Sequence, residues 1–311
     1  MNYQHIYHSG NFADIFKHSI LIICLKEILA QKKPFIVIDI HAGAGKYDLL
    51  TQNNLSNFEA RDGIIKIALD IRRSNLKNPI IPTELIAIFN KINLDKISEQ
   101  TLIELEKGEF AKIKENDYAR LYYPGSPLII SHFTHLPNNA IFIEKDKKQF
   151  ELLRKNFAGN KKIKTICGCG FSAIKSLEIQ SKIADFKNGL IIIDPPFEKL
   201  HHKISPDYQN IVDNLDFFRK KSNNITYIIW YPIIDRDSKI LEKFILNIKK
   251  IGFKNIHNYQ INIDKKYLKS SNSMQSCGII VINGSDKAIN NCDIFTKNIN
   301  NFYNYNISNF K

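Results

Sequence analysis

A mostly parallel α/β sheet of seven strands is the architecture predicted for this chain of 311 residues. Three observations predict it: seven short runs rich in isoleucine and valine, segments of helical period between most of them, and a glycine pair directly behind the first run. In chain order, Phe12 to Leu29 carries a helical period that Lys32, Lys33 and Pro34 break. "FIVIDI", Phe35 to Ile40, then reads as the first buried strand and delivers "DIHAGAGKYDL", Asp39 to Leu49. Further strands are expected at Ala140 to Glu144, Ile163 to Cys167, Leu190 to Ile193 and Thr226 to Tyr231. A weaker one is expected around Phe253 to Ile263, and the last at Cys277 to Asn283. Helical periods at Lys147 to Phe157, Phe171 to Ile183, Ile211 to Lys220 and Ser238 to Ile251 supply the crossovers.

The stretch from Ile40 to Ala140 is too long for one crossover, and its patterned segments, Gly63 to Arg73, Thr83 to Asn90 and Ser98 to Lys107, are helical. Residues 1–49 are therefore read as an N-terminal segment and the start of the core, 50–122 as an inserted helical subdomain, and 123–284 as the rest of the core. Residues 285–311 are rich in asparagine and are read as a loosely ordered tail that Phe295, Phe302 and Tyr303 can anchor in part.

Composition narrows the function. Lysine and arginine number 44 against 31 acidic residues, a formal net charge of +13, and a polyanionic partner is the leading expectation. The plainer reading is a chain biased toward Lys, Asn and Ile. Five scattered cysteines, Cys24, Cys167, Cys169, Cys277 and Cys292, show no disulfide framework, and with no secretory leader recognised the expected location is the cytoplasm. Ser19 to Ala30 is apolar but holds Lys26 and Glu27, so it reads as a packed helix and no membrane association is expected.

Several strand ends carry residues suited to chemistry. Gly43 and Gly45 let the backbone approach a ligand behind the first strand, or simply turn the chain; the spacing fits neither a Walker loop nor the three-glycine dinucleotide fingerprint. Glu144 stands where a carboxylate accepts hydrogen bonds from ribose hydroxyls, with a solvated strand end as the alternative. In "CGCGF", Cys169 or Gly170 is placed to border an adenine ring. No metal site is expected, because that segment lacks a second cysteine pair, His132 and His135 have no further metal-ligating residues identifiable from the sequence, and His201 and His202 are adjacent. "GLIIIDPPF" ends a buried strand in Asp194, Pro195, Pro196 and Phe197. Asp-Pro-Pro can stop a strand and turn the chain; it can also gather acceptors around an exocyclic amine, with competing N–H donors removed by proline and a stacking face supplied by Phe197.

Glycine loop, strand-end acid and Asp-Pro-Pro-Phe in this order resemble the S-adenosylmethionine-dependent amino-methyltransferases that modify adenine N6 in nucleic acids. The chain is more closely similar to the bacterial 23S ribosomal RNA (adenine-N6) methyltransferases of the RlmJ family. The segments that carry the similarity are "YQHIYHSGNFADIFKH" (Tyr3 to His18), "DIHAGAGKYDL", "YPGSP" (Tyr123 to Pro127), "DPPFE" (Asp194 to Glu198), "WYP" (Trp230 to Pro232) and Met274 to Gly278.

The resemblance implies a Rossmann-like class I methyltransferase core with a small helical insertion, and an N-terminal segment lying over the active site. It implies cofactor contacts at His18, His41, Ser126, Glu144 and Gly170, with Tyr3 and Lys17 as active-site neighbours. Asp194 is expected both as the catalytic residue and as a cofactor contact. The implied cofactor is S-adenosyl-L-methionine, and the implied partner is 23S rRNA or a ribosome assembly intermediate. Phe197 stands where the closest family members usually have tyrosine, which keeps a stacking face and loses a phenolic hydroxyl. An adenine-N6 DNA methyltransferase is the nearest rival reading, and a basic nucleic-acid-binding protein without activity is the rival from another class. No helix-turn-helix signature favours the first, and the intact Asp194 to Phe197 segment disfavours the second.

Overall fold

Strand-forming runs that are apolar on both faces must be covered on both faces, and here they pair side by side in one sheet. The computed structural model describes residues 8–50, 58–74, 79–92, 94–113, 121–133, 139–186, 188–198, 204–219, 224–234, 238–269 and 274–305. The sheet contains β1 (Ile36–Asp39), β4 (Asn139–Glu144), β5 (Ile163–Cys167), β6 (Gly189–Ile193), β7 (Ile225–Ile233), β8 (Ile256–Asn262) and β9 (Ser276–Ile282). Their spatial order is β5-β4-β1-β6-β7-β9-β8, parallel except that β9 runs antiparallel to both of its neighbours. All seven expected strands are present.

The chain moves outward from β1 to β4 and β5, then crosses back to lay β6 on the other side of β1. The β1–β6 seam is thus the topological switch point, where the loops leaving two adjacent strands diverge and open a crevice. Register sets these loops level: Asp39 pairs with Ile192, two residues before Asp194. Period-two alternation divides β1 between two cores, Val37 joining one buried cluster and Ile36, Ile38 and Ile40 the other.

Helix α1 (Phe12–Ala30) is buried along most of its length against the first of these clusters. A short antiparallel ribbon of β2 (Lys46–Asp48) and β3 (Tyr122–Pro124) was not legible beforehand, because three-residue strands show no alternation to read. Between its strands lie α2 (Ile64–Ser74), α3 (Thr83–Lys91) and α4 (Glu99–Lys107). Ile64, Leu85, Phe89 and Leu102 from these helices share one buried cluster with Phe16 and Leu21 of α1. After β3 come α5 (Ser126–Phe133) and α6 (Lys147–Asn156). The single helix expected over Phe171 to Ile183 is two, α7 (Gly170–Ala173) and α8 (Leu177–Phe186), followed by α9 (Asp207–Arg219) and α10 (Ser238–Lys250). Among the described residues no helix is long and apolar enough to cross a membrane.

The reading of residues 285–311 as a loose tail is corrected by α11 (Asp286–Tyr305), a helix of 20 residues. Its buried residues, Ala288, Cys292, Phe295, Ile299 and Phe302, recur every three or four positions and pack on α1, with Phe16 and Phe295 stacked at 5.9 Å. The many asparagines, weak helix formers, hid this period. Two of them do a specific task. Asn300 Nδ2 donates to the Gln260 carbonyl (3.0 Å) and its Oδ1 accepts from Asn262 N (3.1 Å). One turn later Asn304 Nδ2 donates to the Asn262 carbonyl (2.7 Å) and its Oδ1 accepts from Asp264 N (3.1 Å). Side-chain amides thereby stand in for a neighbouring strand along the free edge of β8.

Replacing both residues, Asn300→Ala with Asn304→Ala, should lower stability by about 1 to 3 kcal/mol, the scale of several partly solvated hydrogen bonds. Urea unfolding measures this directly, and an unchanged midpoint would mean that water serves the β8 edge as well as the asparagines do.

Candidate active site

At the carboxyl end of β1 a carboxylate is taken wholly out of water. Asp39 is 0% exposed; Ser126 Oγ donates to it at 2.6 Å and the His41 backbone N–H at 3.1 Å. Burial pushes its pKa up to about 6, against the opposing effect of those two hydrogen bonds. Behind it Gly43 and Gly45 take left-handed φ values of 60° and 78°. A Cβ on Gly43 would lie 2.0 Å from the Tyr47 hydroxyl oxygen, which accepts a hydrogen bond from Ala44 N and fills the loop from beneath. The loop is tied outward as well: Gly43 N donates to Glu144 Oε2 at 2.8 Å, and Gly125 N donates to the Gly45 carbonyl at 2.9 Å. Burial raises the Glu144 pKa, and its hydrogen bonds from Asp146 N and Gly43 N oppose the rise.

Gly170 begins α7 directly against β1; a Cβ there would fall 1.9 Å from the Ile40 carbonyl oxygen, so no larger residue fits without moving backbone. Cys169, just before it, is exposed. His41 lies edge-on to Phe171 at 4.8 Å, and its Nδ1 is buried without a hydrogen-bond partner among the described residues. Burial depresses its pKa to about 3, so the ring is neutral and available to a ligand as donor or acceptor.

On the β6 side, Asp194 follows the strand and meets helix α1. Lys17 Nζ lies 2.5 Å from Asp194 Oδ2 and 2.9 Å from Asp14 Oδ1. Burial opposes the Lys17 charge, yet the two carboxylates outweigh it and hold the ammonium well above its ordinary value. Next to Lys17, His18 Nδ1 is 2.8 Å from the Tyr123 hydroxyl, with the two rings stacked. The start of α1 is gripped by the segment between β2 and β3. There Glu59 accepts from Asn11 Nδ2 at 2.8 Å and pairs with His8 at 3.0 Å, while Ile64 N donates to the Gly10 carbonyl.

Pro195 is buried, Pro196 is exposed, and Phe197 has a φ of 50°, a left-handed conformation that costs a non-glycine residue about 1 to 3 kcal/mol. The Phe197 ring packs on Tyr208 (4.8 Å) and Trp230 (5.9 Å). Lys17, Asp194, Pro196, Phe197, Trp230 and Met274 line a cavity of about 180 Å³ that joins apolar walls to a carboxylate and an ammonium. A larger cavity of about 530 Å³ lies at the opposite end of the strands, beside Asn188, Asn224 and Thr226. Size does not decide between them, because the second has no comparable charged constellation at the switch point.

The structure therefore brings His41, Gly43, Gly45, Ser126, Glu144 and Gly170 around one end of β1, and Lys17, Asp194 and Phe197 around one end of β6. Tyr3 lies outside the described residues, as do His135, His201 and His202. Asp39 and Tyr47 were not singled out from the sequence, Asp14 was read only as a local cap or partner on α1, and Trp230 only as part of the "WYP" segment. Asp39 had a readable signal, an acid closing the apolar run "FIVID", and Asp14 and Tyr47 have partners three or four residues away; the place of Trp230 beside Phe197 depends on strand pairing.

These residues fit S-adenosylmethionine. Glycines keep the loop open for close backbone approach, His41 Nδ1 is buried without a partner among the described residues, and buried Asp39 places a negative charge behind the loop that attracts a cationic ligand group. Asp39, His41 and the Gly43–Gly45 loop would hold its amino-acid part, Glu144 its ribose, and Cys169 and Gly170 would border its adenine.

Comparison with known proteins agrees with this geometry. A family model described as "Ribosomal RNA large subunit methyltransferase D, RlmJ" matches residues 109–301. A protein from Haemophilus influenzae named "Ribosomal RNA large subunit methyltransferase J" is 25% identical over 287 residues, 91% of this chain and 87% of that protein. The protein of the same name from Escherichia coli is 27% identical over 286 residues, with the same coverage of 91% and 87%. A crystal structure of protein LPL1258 from Legionella pneumophila shares the fold, with a TM-score of 0.73, 23% identity, and coverage of 96% of this chain and 94% of that one.

Two outcomes are expected for cofactor binding. Glu144→Ala should weaken S-adenosylmethionine binding in calorimetry by about 1 to 3 kcal/mol, the range for losing hydrogen bonds to a charged group, and unchanged affinity would remove Glu144 from the site. Asp39 binds its proton more tightly when folded and is protonated below about pH 6, losing the charge that attracts a cationic ligand. Affinity should accordingly fall as pH drops from 7.5 to 5, and this dependence should flatten in Asp39→Asn; an equal fall in both proteins would assign it to other groups.

Proposed function

This chain belongs to the RlmJ family of ribosomal RNA large subunit methyltransferases, and from that premise we propose that its acceptor is the exocyclic N6 amine of one adenine in 23S rRNA. The observation that carries the reading is Asp194, held at the carboxyl end of β6 in a cavity walled by Phe197, Trp230 and Pro196, one strand away from the Asp39 and Gly43 loop. When bound, S-adenosylmethionine supplies a methyl group activated on a sulfonium sulfur.

The residues of the chain do the rest. The apolar walls receive a base taken out of its stack, with stacking on aromatic rings worth about 1 to 3 kcal/mol. Asp194 accepts an N–H of the amine, turning the nitrogen lone pair toward the methyl carbon, and opposes the positive charge that grows there. Asp194 would keep its hold on the amine as the methyl group is taken up, and the N–H proton would pass to water or to the Asp194 carboxylate with or after transfer. Adenine's amine is too weak an acid for prior deprotonation by a carboxylate. The net charge of +13 supports attraction to the phosphate backbone, with 23S rRNA itself or an assembly intermediate as the substrate in the cytoplasm.

Asp194→Asn keeps the shape and loses the charge, so single-turnover methyl transfer should slow on the order of a hundredfold or more while cofactor affinity changes little. Phe197→Tyr should keep most activity, because the ring face remains. Mass spectrometry of rRNA fragments from a gene deletion should show one N6-methyladenosine lost, restored by wild type and not by Asp194→Asn. An Asp194→Asn enzyme running at wild-type speed would sink the mechanism, and an unchanged set of methylated adenines would sink the substrate.

A further inference from the structure

Asp14 sits in the first turn of α1, where its plain task is capping. Asn11 Oδ1 accepts from Asp14 N at 3.0 Å, and Asp14 Oδ2 accepts from Gly10 N at 2.9 Å. Its other oxygen lies 2.9 Å from Lys17 Nζ, the same nitrogen that lies 2.5 Å from Asp194 Oδ2. Asp14 and Lys17 are 3% and 6% exposed, and both line the cavity that Asp194 lines. A neutral asparagine would also accept from Gly10 N, and a helix N-terminus adds only a modest preference for the charge. The buried carboxylate answers a further demand, since burying it is unfavourable unless a cation pairs with it and the cap supplies none.

The demand comes from Lys17. An ammonium beside Asp194 fixes the carboxylate's orientation, yet it also repels the positive charge that develops on the acceptor nitrogen and competes for the lone pairs that receive the amine N–H. A pair made of Lys17 and Asp194 alone would present no net charge to that nitrogen. Two carboxylates around one ammonium leave one net negative charge and give the ammonium a second partner on the side of α1.

We infer that Asp14 is a positioning residue for methyl transfer, acting through Lys17: it offsets the ammonium charge and shares its hydrogen bonds, so that Asp194 keeps the field and the lone pair that the amine requires. The inference rests on the function proposed above. It separates Asp14 from a mere helix cap by its coupling to a residue one helical turn away that takes no part in the cap.

The experiment is a double-mutant cycle in the full-length enzyme, read as single-turnover methyl transfer to 23S rRNA at saturating labelled S-adenosylmethionine, with cofactor affinity and thermal midpoint measured alongside. Asp14→Asn should slow transfer at least tenfold with cofactor affinity within twofold of wild type. In a Lys17→Met background, where no ammonium needs offsetting, adding Asp14→Asn should change the rate less than twofold. Where Asp14→Asn does not fold, Asp14→Ser, which keeps a short oxygen acceptor without charge, is held to the same criteria. A rate within twofold of wild type for the single variant overturns the inference, as does an equal loss with and without Lys17, which would return Asp14 to the cap. A wild type that methylates a base other than adenine would overturn the acceptor proposed above, and the same cycle would then be read on that base.

Discussion

The buried ammonium of Lys17 is the interaction on which the site depends, because it joins the first turn of α1 to the end of β6 across 177 positions of sequence. An ion this far from water is tolerated only when paired, and here it has a carboxylate on either side. Removing one partner of such a group typically costs about 3 to 5 kcal/mol, so the position of α1 over the strand ends is not free to drift. The same helix carries His18 against Tyr123, and its start is held by Glu59 and by the Gly10–Ile64 hydrogen bond. The segment between β2 and β3 thereby acts on the site through α1, by fixing where that helix begins.

The second half of the site is organised around space and not charge pairing. Tyr47 fills the underside of the glycine loop, Glu144 ties Gly43 to the neighbouring strand, and Gly170 lets α7 start in contact with the Ile40 carbonyl. Each of these contacts keeps backbone close to where a ligand lies. Asp39 is the exception. Its carboxylate is buried with only neutral donors, which is why its proton affinity rises while Lys17 keeps its charge. The carboxylates at the ends of these adjacent strands thus have different environments, Asp39 buried among neutral donors and Asp194 half-buried and already matched to an internal cation.

Stability and chemistry meet at Phe197. Its left-handed backbone is held by packing against Tyr208 and Trp230, and the same packing forms the apolar wall of the cavity. At the far edge of the sheet, α11 covers β8 with the amides of Asn300 and Asn304, and its apolar stripe seals α1 from behind. The C-terminal helix is part of the support for the helix that holds Asp194.

All seven strands of the sheet were legible in the sequence, because isoleucine-rich runs bounded by polar turns leave few alternatives, and so were the acids and glycines at the strand ends. The motif order from Tyr3 to Gly278 carried the family and, through it, the cofactor, together with the expectation that His18, His41 and Ser126 contact it. Local period also contained α11, although its asparagines masked it. What only tertiary structure decided is which charges meet. Lys17 and Asp194 were each marked in the sequence, yet they meet only when the β1–β6 seam brings α1 across the end of β6, and Asp39 and Ser126 become partners only when α5 packs beside β1. Periodicity reports the face a residue turns to the core, and spacing records local pairs such as Asp14 with Lys17, since both depend on neighbours three or four positions away; the pairing of Lys17 with Asp194 and the proton affinity of Asp39 depend on groups brought close by topology, of which spacing carries no record.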